Sequence, residues 1–161
     1  MQKQTLNVMP NTYTQLYIQF VFAVEDRISL IGSKWEEELR KYITGIVQKN
    51  KHKMIAINGM PDHLHAFVGL HPTQSISDLM KVVKGGSSEW INNNKLVTGK
   101  FRWQEGFGAF SYSRSHIDRV YKYIMNQKKH HQKKTFIDEY VELLDKFGID
   151  YDRRYIFHPV V

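Results

Sequence analysis

The chain has 161 residues, of which 42% are hydrophobic and 24% charged, and none is cysteine. That composition suits one globular domain over residues 1–161 and excludes disulfide frameworks, thiolate metal sites and cysteine nucleophiles. With 23 Lys and Arg against 16 Asp and Glu, the formal net charge of +7 favours a polyanionic partner, and no apolar run approaches the roughly 18 residues of a membrane span, so a cytoplasmic protein without membrane contact is expected.

In chain order, residues 14–24 alternate, with Leu16, Ile18, Phe20, Phe22 and Val24 against Gln15, Tyr17, Gln19, Val21 and Ala23. This predicts a strand with one buried face. Residues 33–50 place Trp35, Leu39, Ile43, Ile46 and Val47 at helical spacing behind Ser33, which predicts an amphipathic helix. "KMIAIN" and "HLHAFVGL", separated by Asn-Gly and Pro-Asp pairs, read as an antiparallel hairpin. A Ser75 to Asp78 capping box opens a second helix, expected to kink or break at Gly85-Gly86. Residues 92–100 form a polar loop and 101–113 a glycine-bearing strand. Residues 115–134 and 135–148 then predict two more helices, the latter stopped by Gly148.

The order β, α, β, β, α, β predicts an α+β fold, a ferredoxin-like split βαβ antiparallel sheet with helices on one face plus C-terminal helices. Residues 135–161 would form a C-terminal helical extension of the domain.

His63 and His65 are the first candidates for chemistry. On a strand they share one face with Phe67, while Leu64, Ala66 and Val68 take the core face. Their backbones lie about 7 Å apart, close enough to converge on one ion, although buried filler is the simpler reading of such a pair. Farther on, Ile117, Val120, Tyr121 and Ile124 are expected to pack on the sheet, which makes Tyr121 structural. Tyr123 and Gln127 lie one helical turn apart on a polar face with His116, Arg119 and His130. A tyrosine beside an amide oxygen suits phosphodiester cleavage, because a divalent cation that neutralises the phosphate compensates for a phenol that is a poor nucleophile at neutral pH. Solvated surface residues are the simpler reading.

"MPDHLHAFV", "SISDLMKVVKGGSSEWI", "GFGAFSYS" and "YKYIMNQKKHH", in this order, resemble the IS200/IS605 family of single-tyrosine transposases, which are HUH endonucleases. The resemblance spans about residues 12 to 157. It implies that His63, His65 and Gln127 hold Mg²⁺ or Mn²⁺ and that Tyr123 attacks DNA, leaving a 5′-phosphotyrosine and a free 3′-hydroxyl. It also implies single-stranded DNA with hairpin element ends as partner and a homodimer whose active sites are shared between subunits. The C-terminal segment is similar to that of REP-associated, domesticated relatives, so a nuclease of that kind is an alternative to a mobile transposase. A small-phosphoester metal hydrolase and a non-catalytic single-strand-binding protein are two further readings. Lys128, Lys129, Lys133, Lys134, Arg119, Arg153 and Arg154 are candidate DNA contacts, and the "GFGAFSYS" strand, lacking an edge-blocking charge, is the expected dimer edge.

Overall fold

A computed structural model describes residues 11–130, 134–152, 154 and 156. Four strands, β1 (Tyr17–Ala23), β2 (Lys53–Met60), β3 (His63–Gly69) and β4 (Gly108–Tyr112), form one sheet in the order β2-β3-β1-β4. All three neighbouring pairs are antiparallel, as the split βαβ pattern requires. The helices are α1 (Glu36–Lys49), α2 (Ile76–Asn93), α3 (Ile117–Met125), α4 (Gln127–His130) and α5 (Phe136–Lys146).

Strand alternation divides the core. Phe20, Phe22 and Val24 of the first strand segment and Leu64, Ala66 and Val68 of β3 pack with Leu39, Ile43 and Val47 of α1 and Leu79, Met80 and Val83 of α2. The other face of β1 is buried as well: Gln19, Val21 and Ala23 are all inaccessible. Val21 and Ala23 pack with Phe136, Tyr140, Val141, Leu143 and Leu144 of α5, while Phe67 meets Val120 and Ile124 of α3. The strand expected to bury one face therefore buries both, because the C-terminal helices cover the second.

Several local expectations change for identifiable reasons. Helix α2 runs unbroken through Gly85-Gly86. Gly86 serves close packing, since a Cβ there would come within 2.9 Å of Ile46 Cδ1 on α1. The helix expected from 33 starts at Glu36 with no side-chain cap, and the strand expected over 101–113 shortens to 108–112, preceded by a single bridge between Val24 and Trp103. The helix expected over 115–134 begins at Ile117 after a 3₁₀ turn and breaks at Asn126, so Tyr123 and Gln127 sit on separate short helices. Ser75 and Thr135 do cap α2 and α5, accepting from the backbone N–H of Asp78 and Asp138. Gly148, at φ 63°, ends α5 with Gly148 N–H donating to Asp145 O and Ile149 N–H to Leu144 O.

Gly59 on β2 lies against β3, and a Cβ there would fall 2.2 Å from the His63 carbonyl oxygen and 2.9 Å from Leu64 Cα. Backbone cannot yield as a side chain does, so Gly59→Ala should destabilise the protein by about 1–3 kcal/mol. Thermal denaturation reads this directly, and an unchanged midpoint would show that the hairpin has slack beside His63.

Candidate active site

The histidine pair lies on the sheet face away from α1 and α2, as the alternation predicts, but it is not open to solvent. His63 and His65 are both inaccessible, roofed by α5, with Phe136 stacked on the His63 ring at 4.3 Å between centroids. The ring of His65 meets that of Tyr123 at 5.9 Å, edge to face.

At the centre is Glu139 of α5, a carboxylate only 3% exposed. Its Oε1 lies 2.8 Å from His65 Nε2 and 3.5 Å from His63 Nε2. Its Oε2 accepts a short hydrogen bond from the Tyr123 hydroxyl and another, at 3.3 Å, from the Gln127 amide nitrogen. Sequence reasoning missed this residue. The available signal was its position: Phe136, Glu139, Tyr140 and Leu143 follow one helical stripe, and an acid on an otherwise apolar stripe has a partner or a task.

Gln127 is fully buried, with its amide oxygen 3.3 Å from His63 Nε2. His63 Nδ1–H donates to Asp62 Oδ1 at 2.7 Å, which leaves Nε2 of the neutral ring as a lone-pair donor toward the site. Burial opposes a charge on His63, yet the hydrogen bonds and charges of Asp62 and Glu139 outweigh it and raise its pKa. With the ring neutral, His63 Nε2, Gln127 Oε1 and Glu139 Oε1 turn lone pairs toward one another. That is a donor set for a proton or a cation. The nearest atoms of His63, His65 and Glu139 lie within 4.8 Å of one another, so two imidazoles, a carboxylate and an amide oxygen fit a divalent ion of the Mn²⁺ or Mg²⁺ kind.

The helix phase differs from the expectation. Val120 and Ile124 are buried against the sheet, whereas Tyr121 and Met125 are exposed at 44% and 45%. Two stripes can be drawn through Ile117, one at 121 and 125 and one at 120, 124 and 127. The second holds Val120 and Ile124, the β-branched pair that fits against Phe67, and it carries Gln127 inward with Tyr123 at its border. Asn58 of β2, paired across the sheet with His65, anchors the end of α3 by donating from Nδ2 to the carbonyls of Ile124 and Met125, both at 3.1 Å. Burial, followed by the charge of Glu139, raises the pKa of Tyr123 well above its ordinary value. The phenol therefore holds its proton firmly.

Beside the Tyr123 hydroxyl opens a cleft of about 490 Å³ whose lining includes Tyr112, His116, Arg119, Glu142 and Lys146. Of the other basic candidates, Lys128 pairs with Glu36, Lys134 with Glu142 and Arg154 with Asp152, each at 2.7 Å and each exposed. Lys129 is exposed. Lys133 and Arg153 lie outside the described residues. Exposed pairs of this kind are weak, and phosphates can compete for them. No helix among the described residues is long and apolar enough to cross a membrane.

A histidine pair, an amide and a carboxylate gathered under a tyrosine hydroxyl define a candidate metal-assisted active site. Residues 12–127 match the family described as IS200-like transposases, and the chain belongs to that family. Its members are DNA-nicking and strand-transferring enzymes. Among curated relatives, the ISDra2 transposase TnpA of Deinococcus radiodurans is 24% identical over 118 residues, covering 70% of this chain and 84% of the relative. A crystal structure of a Deinococcus radiodurans transposase superposes with a TM-score of 0.61 at 21% identity, covering 76% of this chain and 98% of the other. A REP-associated tyrosine transposase bound to a REP hairpin superposes with a TM-score of 0.58 at 16% identity, covering 78% of this chain and 74% of that one.

Proposed function

We propose that the protein is a metal-dependent transposase acting on single-stranded DNA through a 5′-phosphotyrosine intermediate, with Tyr123 as nucleophile. The observation that carries this reading is the convergence of the Tyr123 hydroxyl, His63, His65, Gln127 and Glu139 in one buried hydrogen-bonded cluster. His63, His65 and Gln127 would hold the ion, with Glu139 at its edge. Mg²⁺ or Mn²⁺ bound there supplies neutralisation of the phosphate and of the departing oxygen.

The protein's own groups do the rest. Arg119, His116 and Lys146 draw the DNA backbone into the cleft beside the hydroxyl. Tyr123 Oη attacks phosphorus, the P–O3′ bond breaks, and Glu139, already accepting the phenolic hydrogen bond, takes its proton. The 3′-oxygen leaves with a proton from solvent, and the phosphate stays on the tyrosine, ready for attack by another 3′-hydroxyl. A strand end is thereby conserved for rejoining.

The natural DNA partner is a single strand carrying hairpins, a reading supported by the hairpin-bound relative. A REP-associated nuclease is the second reading, favoured by the same likeness. The whole of residues 1–161 works as one catalytic domain, with the 135–161 extension supplying Glu139. Assembly is a homodimer joined along β4, which pairs only with β1 among the described strands. The family resemblance implies shared sites, while within one chain the Tyr123 ring meets that of His65; mixed His63→Ala and Tyr123→Phe subunits should regain partial cleavage if sites are shared and stay inactive if each chain completes its own. Sedimentation velocity measures the assembly.

The deciding experiment incubates the protein with single-stranded DNA and Mn²⁺, isolates any covalent adduct and maps the modified residue. Attachment at Tyr123 is expected. A hydrolysed strand with no protein attached would replace the tyrosine with water as nucleophile. Binding should also weaken steeply with salt, with a log-log slope of about −0.7 for each phosphate contact. An affinity indifferent to salt would remove Lys128, Lys129, Lys133, Lys134, Arg119, Arg153 and Arg154 as phosphate contacts.

A further inference from the structure

Behind His65, on the side away from Glu139, a buried polar chain runs through the sheet. Gln19 of β1 has no accessible surface, and its Nε2 lies 2.9 Å from His65 Nδ1. Its Oε1 accepts from the Tyr112 hydroxyl of β4 at 2.7 Å. With the Gln19 amide in this orientation, one set of directions satisfies the whole chain. Tyr112 donates to the Gln19 carbonyl, the Gln19 amide donates to His65 Nδ1, and His65 Nε2–H donates to Glu139. Burial holds Tyr112 protonated, with its pKa pushed up to about 12.

That set puts the His65 proton on Nε2, the nitrogen that faces the proposed metal site, where it would block coordination. A neutral imidazole ligates through the nitrogen that lacks the proton, and the opposite nitrogen then donates to a partner behind it. His63 already meets that requirement through Asp62, but His65 does not. An amide can satisfy both states, since turning it by 180° presents oxygen instead of N–H to Nδ1. The half-buried Tyr112 can then accept from the Gln19 amide and turn its hydroxyl proton elsewhere.

We propose that Gln19 is a positioning residue that sets which nitrogen of His65 carries the proton, and that its amide reverses when His65 changes from hydrogen-bond donor to metal ligand. The inference rests on the metal reading of the site. It explains an amide on a strand face otherwise lined at this level by Val21 and Ala23, where an apolar residue would bury without needing partners.

Two measurements test it. In ¹⁵N NMR of the full chain, His65 should carry its proton on Nε2 without metal and on Nδ1 at saturating Mg²⁺. The same tautomer in both states overturns the proposal, and this result needs no variant to fold. By Mn²⁺ titration followed with EPR, Gln19→Leu should bind about 10- to 100-fold more weakly. Gln19→Glu, which can only accept from Nδ1–H, should bind at least as tightly as the unaltered protein. A folded Gln19→Leu protein with undiminished affinity overturns the inference while leaving the metal site standing. Failure of the unaltered protein to bind Mn²⁺ in a His63-dependent way would overturn the metal reading, and this inference with it.

Discussion

Tyr123→Phe should bind single-stranded DNA and Mn²⁺ with unchanged affinity and form no covalent adduct, a loss of cleavage beyond detection. The substitution removes one oxygen. The ring keeps its edge contact with His65 and its packing beside Val120 and Ile124, so the helix stays in place. Glu139 keeps the hydrogen bonds from His65 and Gln127 that hold it in the site. What disappears is the atom proposed to bond phosphorus; Tyr121 lies on the exposed side of α3, and the Tyr112 hydroxyl that lines the same cleft donates to Gln19 instead. Tyr121→Phe should accordingly change neither activity nor stability measurably. Gel analysis of protein–DNA adducts with both variants checks the pair of results, and an adduct persisting in Tyr123→Phe would overturn the assignment of the nucleophile.

Glu139→Gln should lower the single-turnover cleavage rate by about 10²- to 10⁴-fold, the range expected for loss of a positioned proton acceptor. The amide matches the carboxylate in size but cannot take the phenolic proton, and its NH₂ group would face other donors. The helix itself should remain docked, because Phe136, Tyr140, Val141, Leu143 and Leu144 bury the rest of its inner face. Near-ultraviolet circular dichroism would confirm that packing. Cleavage by a folded Glu139→Gln protein at the unaltered rate would return the task of activation to the cation and leave Glu139 a structural acid.

The path from sequence to site was clear where the period is two. Along β3, apolar residues and histidines alternate, and the structure keeps that division of faces. Register then brought Val21 opposite His65 and Ala23 opposite His63, leaving room above the rings for another element. Where the period is 3.6 the reading was ambiguous. Positions 120 and 121 both continue the stripe from Ile117, and only docking against Phe67 selects between them. Glu139 was hidden for a different reason. "TFIDEYVELL" has the acidic first turn of an ordinary capped helix, and local sequence does not show whether an acid there faces water or two imidazoles some 75 residues away. Similarly, Gln19 reads as the polar partner of an alternating strand until α5 covers that face.

The hydrogen bonds from Asn58 to the end of α3 bear on how the molecule breathes. The short helix carrying Tyr123 is tied to β2, the end strand of the sheet beside β3, so its last turn cannot fray independently in the way helix ends usually do. Each of the two bonds is worth about 0.5–1.5 kcal/mol, enough to make opening of that turn and loosening of β2 a shared event. Amide hydrogens at Asn126 and along β2 should therefore exchange together, and Asn58→Ala should accelerate exchange at the helix end before it lowers the melting temperature. The tyrosine would then lose its aim in a molecule that still counts as folded.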